Sequence, residues 1–104
     1  MKTIKITKAN LDKNNKYIGS EKLEDYFNPL NASIEIDENL GCVFFEKHIV
    51  VAGSLVAKAG SGIKTGWCIK AGSGIKAGWG IEAGWGIKAG LGIEAGWGIE
   101  AGLG

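Results

Sequence analysis

The sequence predicts an all-β fold, a β-solenoid of hexapeptide repeats with an N-terminal α+β cap. Three observations lead to this prediction. Glycine supplies 18 of the 104 residues, and all but two of these glycines follow residue 50. A six-residue unit recurs without interruption from Gly62 onward. Within that unit apolar residues alternate with polar residues or glycine, which is typical of extended chain with one buried face.

The repeating unit reads Gly-Ile-Lys/Glu-Ala-Gly-Trp, with small variations from copy to copy. Because six is an even number, the alternation keeps the same phase along the whole array. An α-helix is excluded, since two glycines per unit would cost a helix about 2 kcal/mol relative to alanine. Its apolar residues would also fail to form one stripe. Every copy keeps its isoleucine: Ile63, Ile69, Ile75, Ile81, Ile87, Ile93 and Ile99.

One hexapeptide is too short to bury its own apolar residues, so neighbouring copies are expected to stack as strands of about four residues joined at glycine-rich corners. Three hexapeptides per coil give a three-sided prism, and two give a flatter coil. The three-sided form is preferred because a thin coil leaves little room for tryptophan. The direction of winding stays open, since tryptophan stands where left-handed hexapeptide acyltransferases have a small residue.

Residues 1–50 are predicted to form the cap, and residues 51–104 the solenoid. Ser20 is placed to cap a short helix over residues 21–27, which Pro29 would end. An atypical end unit is needed because the exposed edge of a β-solenoid is a template for aggregation. The alternating segments predict strands at residues 2–7, 33–37, 42–46 and 48–56, with a turn at residues 38–41.

The sequence ends within the repeat, so the last coil is expected to present an apolar edge with unpaired backbone groups. Such an edge is expected to pair with a second copy or with a partner protein. We therefore expect a homo-oligomer joined through residues 93–104. The predicted self-association residues are Ile93, Trp97, Ile99 and Leu103.

The residue types indicate no enzyme, no metal site and no cofactor. His48 is the single histidine, and its apolar neighbours favour strand core over a catalytic pair. Cys42 and Cys68 are too few for a disulfide framework or a four-ligand metal site, so both are expected to be reduced thiols. The acidic residues of the array recur on its outward positions and are interpreted as solvated: Glu82, Glu94 and Glu100.

The formal net charge of +1 does not indicate a nucleic-acid partner, since binding to a polyanion needs clustered positive charge. The N-terminus alternates polar and apolar residues and lacks the apolar centre of a signal peptide. The chain also lacks a run of about 18 apolar residues, so no membrane span is predicted. A cytoplasmic location is expected.

Two features of the array are candidates for binding a partner. The first is the tryptophan series Trp67, Trp79, Trp85 and Trp97. Strict alternation would place these rings in the core. If Ala-Gly-Trp-Gly forms the corner instead, the rings lie outside in a ladder that can stack on bases, sugars or a protein. The second is a basic band complementary to an acidic surface, although such charges also serve solubility alone. Its lysines are Lys64, Lys70 and Lys76.

Residues 1–7, 17–20 and 34–41, together with the array, resemble a family of hexapeptide-repeat proteins carried by prophages and mobile elements of low-GC bacteria. This resemblance implies a non-enzymatic protein that binds a host protein complex in the host cell and inhibits a defence system, in the manner of anti-CRISPR proteins. The alternative is a self-assembling structural β-solenoid, since alternating glycine and aliphatic residues resemble silk-like stacking. Ice or sugar binding is less favoured because lysine and glutamate, not threonine, recur on the outward positions.

Overall fold

The computed structural model describes residues 1–25 and 27–102. Strands dominate, and parallel sheets stack in successive coils, so the predicted β-solenoid is confirmed. The strands are β1 (Lys2–Ile6), β2 (Ala32–Ile36), β3 (Gly41–Phe45), β4 (Ile49–Val51), β5 (Leu55–Ala57), β6 (Ser61–Thr65), β7 (Ile69–Ala71), β8 (Gly74–Ala77), β9 (Ile81–Ala83), β10 (Ile87–Ala89), β11 (Gly92–Ala95) and β12 (Ile99–Ala101). A short 3₁₀ helix, η1, spans Lys8–Asn10.

The strands form three parallel sheets, which are the three faces of a prism. Face 1 contains β1, β2, β5, β8 and β11; face 2 contains β3, β6, β9 and β12; face 3 contains β4, β7 and β10. In the array each strand pairs with the strand three hexapeptides further along, so that Ile81 lies between Ile63 and Ile99. The preferred three-sided form is therefore the one observed.

The coils before the array are slightly longer and have wider corners. Val43 pairs with Ile63, and Ile34 pairs with Leu55, which is more than three hexapeptides in each case. The extra residues include Gly60, whose φ of +80° falls in the left-handed region that glycine adopts without steric cost. The turn predicted at residues 38–41 is one of these corners.

Each unit of the array divides into a strand segment of three to five residues and a short corner. Ile81 and Ala83 point inward and are each only 2% exposed, while Glu82 between them faces outward. The next three residues, Gly84 to Gly86, form the corner that leads to face 3. Alternation therefore runs from isoleucine to alanine and stops there, because the chain turns before it reaches the next isoleucine.

The two glycines of the unit have different roles. A methyl group on Gly84 would overlap the carbonyl oxygen of Gly66 in the coil below, and one on Gly78 would lie 2.7 Å from the Cα atom of Ala59. A methyl group on Gly80, which follows tryptophan, would lie 3.3 Å from the carbonyl oxygen of Gly98, and one on Gly98 itself would meet nothing within 4 Å. The close approach of stacked backbones is therefore tightest at the glycine that follows alanine.

The core is one continuous apolar column along the axis of the prism. Full burial of an aliphatic side chain stabilises the fold by roughly 1.5–3 kcal/mol, so the stacked isoleucines are the main source of stability. On each face they lie above one another: Ile34, Leu55, Ile75 and Ile93 on face 1; Val43, Ile63, Ile81 and Ile99 on face 2; Ile49, Ile69 and Ile87 on face 3.

The helix predicted over residues 21–27 is wrong, since the described residues of this segment have no helical structure. The backbone of this segment forms hydrogen bonds with face 3 instead. The carbonyl of Leu23 accepts a hydrogen bond from the Val50 amide at 2.7 Å, and Leu30 forms a parallel bridge with Val51. Leu23 is also buried against the core. In a helix the Leu23 carbonyl would accept a hydrogen bond from within the helix and would not be available to face 3. Pairing with face 3 is therefore favoured over a helix capped by Ser20.

Residues 1–31 (the N-terminal segment, of which Tyr26 is not described) supply the first strand of face 1 and contact the first strands of faces 2 and 3. β1 pairs with β2 on face 1, Lys16 bridges to Phe44 on face 2, and Leu30 reaches face 3. Besides β1 and η1, the described residues of the segment form turns, bends and isolated bridges and contain no α-helix, so the predicted α+β character is not observed in them. The division of the chain at residue 50 stays a prediction, because the sheets themselves cross that position.

Within the described residues, no helix has the length and hydrophobicity needed to cross a lipid bilayer.

Candidate binding surfaces at the tryptophan corners

The tryptophan side chains lie at the corners of the prism and not in its core. Trp67 is 39% exposed, Trp85 48% and Trp97 77%, while Trp79 is half-buried. The interpretation that placed the rings inside is therefore wrong, and the corner alternative is correct. The cause is the turn after each alanine, which takes tryptophan out of the alternating phase and away from the isoleucines.

The rings form two separate columns parallel to the axis. We call the corner between faces 2 and 3, with His48, Trp67 and Trp85, the first tryptophan corner. The corner between faces 1 and 2, with Trp79 and Trp97, is the second tryptophan corner. Ring centroids are 5.5 Å apart for Trp67 and Trp85 and 5.0 Å apart for Trp79 and Trp97, with interplanar angles of 13° and 8°. These spacings follow from the separation of about 4.8 Å between paired strands.

His48 is the first ring of the column at the first tryptophan corner. Its ring lies edge-on to Trp67 at 4.8 Å, and its Nδ1 accepts a hydrogen bond of 3.1 Å from the Cys68 amide. An accepting Nδ1 places the proton of the neutral ring on Nε2. The prediction that His48 belongs to the strand core is therefore wrong, because the residue lies in the corner between β3 and β4. The sequence alone could not predict that His48 contacts Trp67, because this prediction requires the number of residues per coil.

The three lysines of the predicted basic band lie on three different faces. Lys64 is on face 2, Lys70 on face 3 and Lys76 on face 1. Two of them flank the first tryptophan corner, one on each side of Trp67, while Lys76 lies elsewhere. The Lys64 ammonium group lies 5.2 Å from the centre of the Phe44 ring. The structure therefore brings two of the three lysines to one aromatic corner.

The charged residues of the array pair across the coils in a different way on each face. On face 3, Lys70 pairs in register with Lys88. On face 2, Glu82 lies in register between Lys64 and Glu100. On face 1, Lys76 lies opposite Glu94. This arrangement follows from three hexapeptides per coil.

A groove of about 440 Å³ runs along face 2 beside the second tryptophan corner, and we call it the face 2 groove. Its lining includes three glycines and the isoleucines that follow them, namely Gly62, Gly80 and Gly98 with Ile63, Ile81 and Ile99. Cys42 lies at one end, and burial raises the pKa of its thiol, which disfavours the reactive thiolate. The lining residues on its two sides are Trp79 and Trp97, and Glu82 and Glu100.

A second cavity, of about 370 Å³, lies on the opposite side of face 2. Phe44, Lys64, Thr65 and Gly66 line it, so it adjoins the first tryptophan corner. A side chain of a partner protein that packs against Trp67 therefore lies next to this cavity.

The strands of the last described layer leave part of their apolar surface open. Ile99 is 49% exposed, and Ile93 is half-buried. Trp97 is also open to solvent. Three of the four residues predicted for self-association thus lie at this end, and the fourth, Leu103, lies outside the described residues.

Among the described residues, no group of three or more His, Cys, Asp or Glu side chains gathers into a metal-binding arrangement. Comparison of the chain with protein-family models, with curated proteins and with solved structures finds no significant match. The family resemblance and the functions it implies therefore stay proposals.

Proposed function

We propose that this protein is a non-enzymatic phage or mobile-element protein that inhibits a host defence system, as anti-CRISPR proteins do, by occupying the surface of a host protein. It acts in the cytoplasm of the host cell. The observation that carries the proposal is the exposed aromatic column of the first tryptophan corner. A β-solenoid has no need of that column for its core.

Tryptophan on a rigid corner is well suited to protein binding. The corner backbone is fixed by the hydrogen bond from the Trp85 amide to the Trp67 carbonyl, at 2.9 Å. The stacked rings hold one another in place, so little conformational entropy is lost when a partner covers them. Large aromatic side chains in such positions typically supply a large share of the free energy of binding.

The charges around this corner indicate the kind of surface that it contacts. Lys64 and Lys70 stand on either side of Trp67, and the ammonium group of Lys64 also lies 3.9 Å from the Glu82 carboxylate. An acidic, partly apolar protein surface is complementary to this arrangement. Charge complementarity of this kind also raises the rate of association.

The proposal is tested by plasmid interference in cells with an active CRISPR system. The wild-type protein is expected to restore transformation by a targeted plasmid to the level of a non-targeted plasmid. The double variant Trp67→Ala/Trp85→Ala is expected to lose this effect and to keep its far-ultraviolet circular dichroism spectrum. Trp97→Ala is the matched control, since it removes an exposed ring from the other corner. Failure of the wild-type protein against a panel of CRISPR types would contradict the proposed target class.

A second candidate function is that of a self-assembling structural β-solenoid. It is favoured by the exposed apolar surface around Ile93 and Ile99, which a second copy stacked on this end would bury. A homo-oligomer formed in this way would extend the sheets along the axis.

Light scattering over a range of protein concentrations tests this candidate. Axial assembly predicts a mass that grows with concentration for the wild-type protein and stays at the monomer value for Ile99→Lys. A concentration-independent monomer for the wild-type protein would contradict it.

A further inference from the structure

We infer that copies of this protein join head to tail through face 1, where the free edge of β1 in one copy pairs in parallel with the free edge of β11 in the next, so that Lys5 lies opposite Glu94. This inference rests on the second candidate function, axial assembly, and specifies the two strands that meet and their register. It does not involve the first tryptophan corner.

The first observation is that face 1 has a regular strand at each of its edges. β1 and β11 are its outermost strands, and each has a described partner strand on one side only. Faces 2 and 3 differ at the N-terminal end, because there the N-terminal segment bridges to Phe44 and to Val51. Among the described residues, face 1 is therefore the face with a regular strand edge at both ends of the prism. Such an edge is a template for another strand.

The second observation is the direction of the backbone groups on β1. Successive residues of a parallel strand bond to opposite neighbouring strands. The Ile6 carbonyl accepts a hydrogen bond from the Asp37 amide at 2.8 Å, so Ile6 bonds toward β2. The amide and the carbonyl of Lys5 therefore point to the free edge, and the Lys5 side chain is exposed.

The backbone groups on β11 have the complementary direction. The Gly96 amide donates to the Ala77 carbonyl at 3.0 Å, and Ala77 is in register with Ala95. The amides and carbonyls of Ala95 and, by alternation, of Ile93 therefore point away from β8. In the inferred register the Lys5 amide donates to the Ile93 carbonyl, and the Lys5 carbonyl accepts a hydrogen bond from the Ala95 amide.

The third observation is the order of charges along the outward row of face 1. This row contains no like charges on directly paired positions, and it reads Lys5, Glu35, Val56, Lys76 and Glu94. Opposite charges on paired strand positions stabilise a sheet, and like charges destabilise it. A second copy whose Lys5 follows Glu94 continues the same order.

Both charged groups are available for this pairing. Lys5 has Glu35 in register, but the Glu35 carboxylate pairs with the Lys58 ammonium group at 3.0 Å. Glu94 has Lys76 in register on one side. Within the described residues, neither Lys5 nor Glu94 belongs to an ion pair.

The other two arrangements of these edges bring like charges together. Two β1 edges would place lysine against lysine, and two β11 edges would place Glu94 against its own copy. The contact between β1 and β11 is therefore favoured, and it also covers Ile4 and Ile93, which are half-buried. Because this contact is heterologous, it generates an open filament or a ring and not a two-fold dimer.

Cysteine cross-linking tests the two strands and their register. Lys5→Cys and Glu94→Cys are made separately in a Cys42→Ser/Cys68→Ser background and are mixed under mild oxidation. Paired positions on neighbouring strands lie about 4.8 Å apart, which is within the range of Cα separations in disulfides. The mixture is expected to give disulfide-linked dimers, and each variant alone is expected to give none. Thr3→Cys mixed with Glu94→Cys is the matched control, because these positions are two residues out of register.

Charge exchange tests the ion pair without cysteine chemistry. Lys5→Glu and Glu94→Lys are each expected to associate about fivefold more weakly than the wild-type protein in sedimentation velocity at low salt. A mixture of the two in equal amounts is expected to associate like the wild-type protein, because each variant supplies the edge that complements the other. Lys47→Glu makes the same charge change at a corner away from both edges and is expected to have no effect. Circular dichroism establishes that each variant is folded.

The remaining outcomes separate this contact from axial assembly in general. A mass that grows with concentration, without a cross-link between positions 5 and 94, would overturn the inference and leave axial assembly standing. A disulfide formed by Glu94→Cys alone would also overturn the inference, because it requires a contact between two β11 edges. A wild-type protein that stays monomeric up to about 100 μM would overturn both.

Discussion

Strands of identical sequence lie in two different environments in this protein. β9 and β12 both read Ile-Glu-Ala and stack on each other on face 2. β9 has a paired strand on both sides, whereas β12 has its described partner on one side only. The isoleucine of β9 is 2% exposed and that of β12 is 49% exposed. The difference shows that a hexapeptide is stabilised by its neighbours in the stack and not by its own sequence.

This behaviour is expected for a quasi-one-dimensional protein, in which stability is close to a sum of nearest-neighbour terms. We call β7, β8 and β9 the inner strands and β10, β11 and β12 the edge strands. A substitution in an inner strand removes contacts on two sides, while the same substitution in an edge strand removes contacts on one side.

The largest expected effect comes from truncating the stacked isoleucine. Ile81→Ala should lower the free energy of unfolding by about 3–4 kcal/mol, because it leaves a cavity between Ile63 and Ile99. Ile99→Ala in the edge strand should cost about 1 kcal/mol or less, since half of the side chain is already in water. Urea unfolding followed by circular dichroism measures both values, and equal losses would contradict the comparison.

The next effect concerns the two glycines of the repeat. Gly84→Ala should destabilise the protein by about 1–3 kcal/mol, because the new methyl group overlaps backbone of the coil below and the coils must separate. Gly98→Ala lies beside an edge strand, where its methyl group meets nothing within 4 Å, and it should change stability by about 0.5 kcal/mol or less, as for an ordinary surface substitution. The thermal unfolding midpoints of the two variants measure the difference. A tolerated Gly84→Ala would mean that the coils are not packed as closely as described.

A smaller effect is expected from the exposed tryptophans. Trp85→Ala removes a ring that contacts both Trp67 and His48, and it should cost about 1 kcal/mol. Trp97→Ala removes an end ring with one described stacking partner and should cost less. The urea midpoint measures both. Complete unfolding of either variant would mean that the ring belongs to the core, in contradiction to its corner position.

The smallest effect is a pH dependence confined to the N-terminal segment. The Lys16 amide donates to the Asp12 carboxylate at 3.0 Å and lowers its pKa, and the Asn28 side chain lowers the pKa of Asp25. A carboxyl group whose pKa is lower in the folded state stabilises the fold above its unfolded pKa and loses that contribution as the pH falls through its folded pKa.

Acidification is therefore expected to loosen the loops around Asp12 and Asp25 while the inner strands stay intact. Carboxyl titrations followed by nuclear magnetic resonance should give a midpoint for Asp12 below that of an ordinary aspartate, and Asp12→Asn serves to assign the signal. A midpoint at or above the ordinary value would contradict the described hydrogen bonds.

The sequence predicted the stacked strands because the isoleucine and the alanine of each unit keep strict alternation. It could not place Trp67 or Trp97, since alternation does not show where the chain turns. The position of each turn depends on the number of residues per coil. That number depends on how the three faces close around the core. The prediction of a helix at residues 21–27 was wrong for a related reason. The backbone groups of Leu23 and Leu30 pair with face 3, and the local sequence contains no signal for this tertiary contact.

The candidate binding surfaces were predicted in kind but not in arrangement. The tryptophans and lysines of the array were identified from composition and spacing. Their division into two corners, the contact of His48 with Trp67, and the face 2 groove all arise from residues that lie in successive coils. Only the number of units per coil brings such residues together.

Hydrogen exchange of individual amides tests the central claim most directly, namely that hexapeptides stack in parallel coils around a buried isoleucine column. The amides of Ile63, Ile69 and Ile81 donate to carbonyl groups of the next coil at 2.9–3.0 Å. They are expected to be protected close to the global free energy of unfolding, whereas the edge strands exchange earlier. Uniformly weak protection across residues 62–102, without a difference between inner and edge strands, would contradict the account.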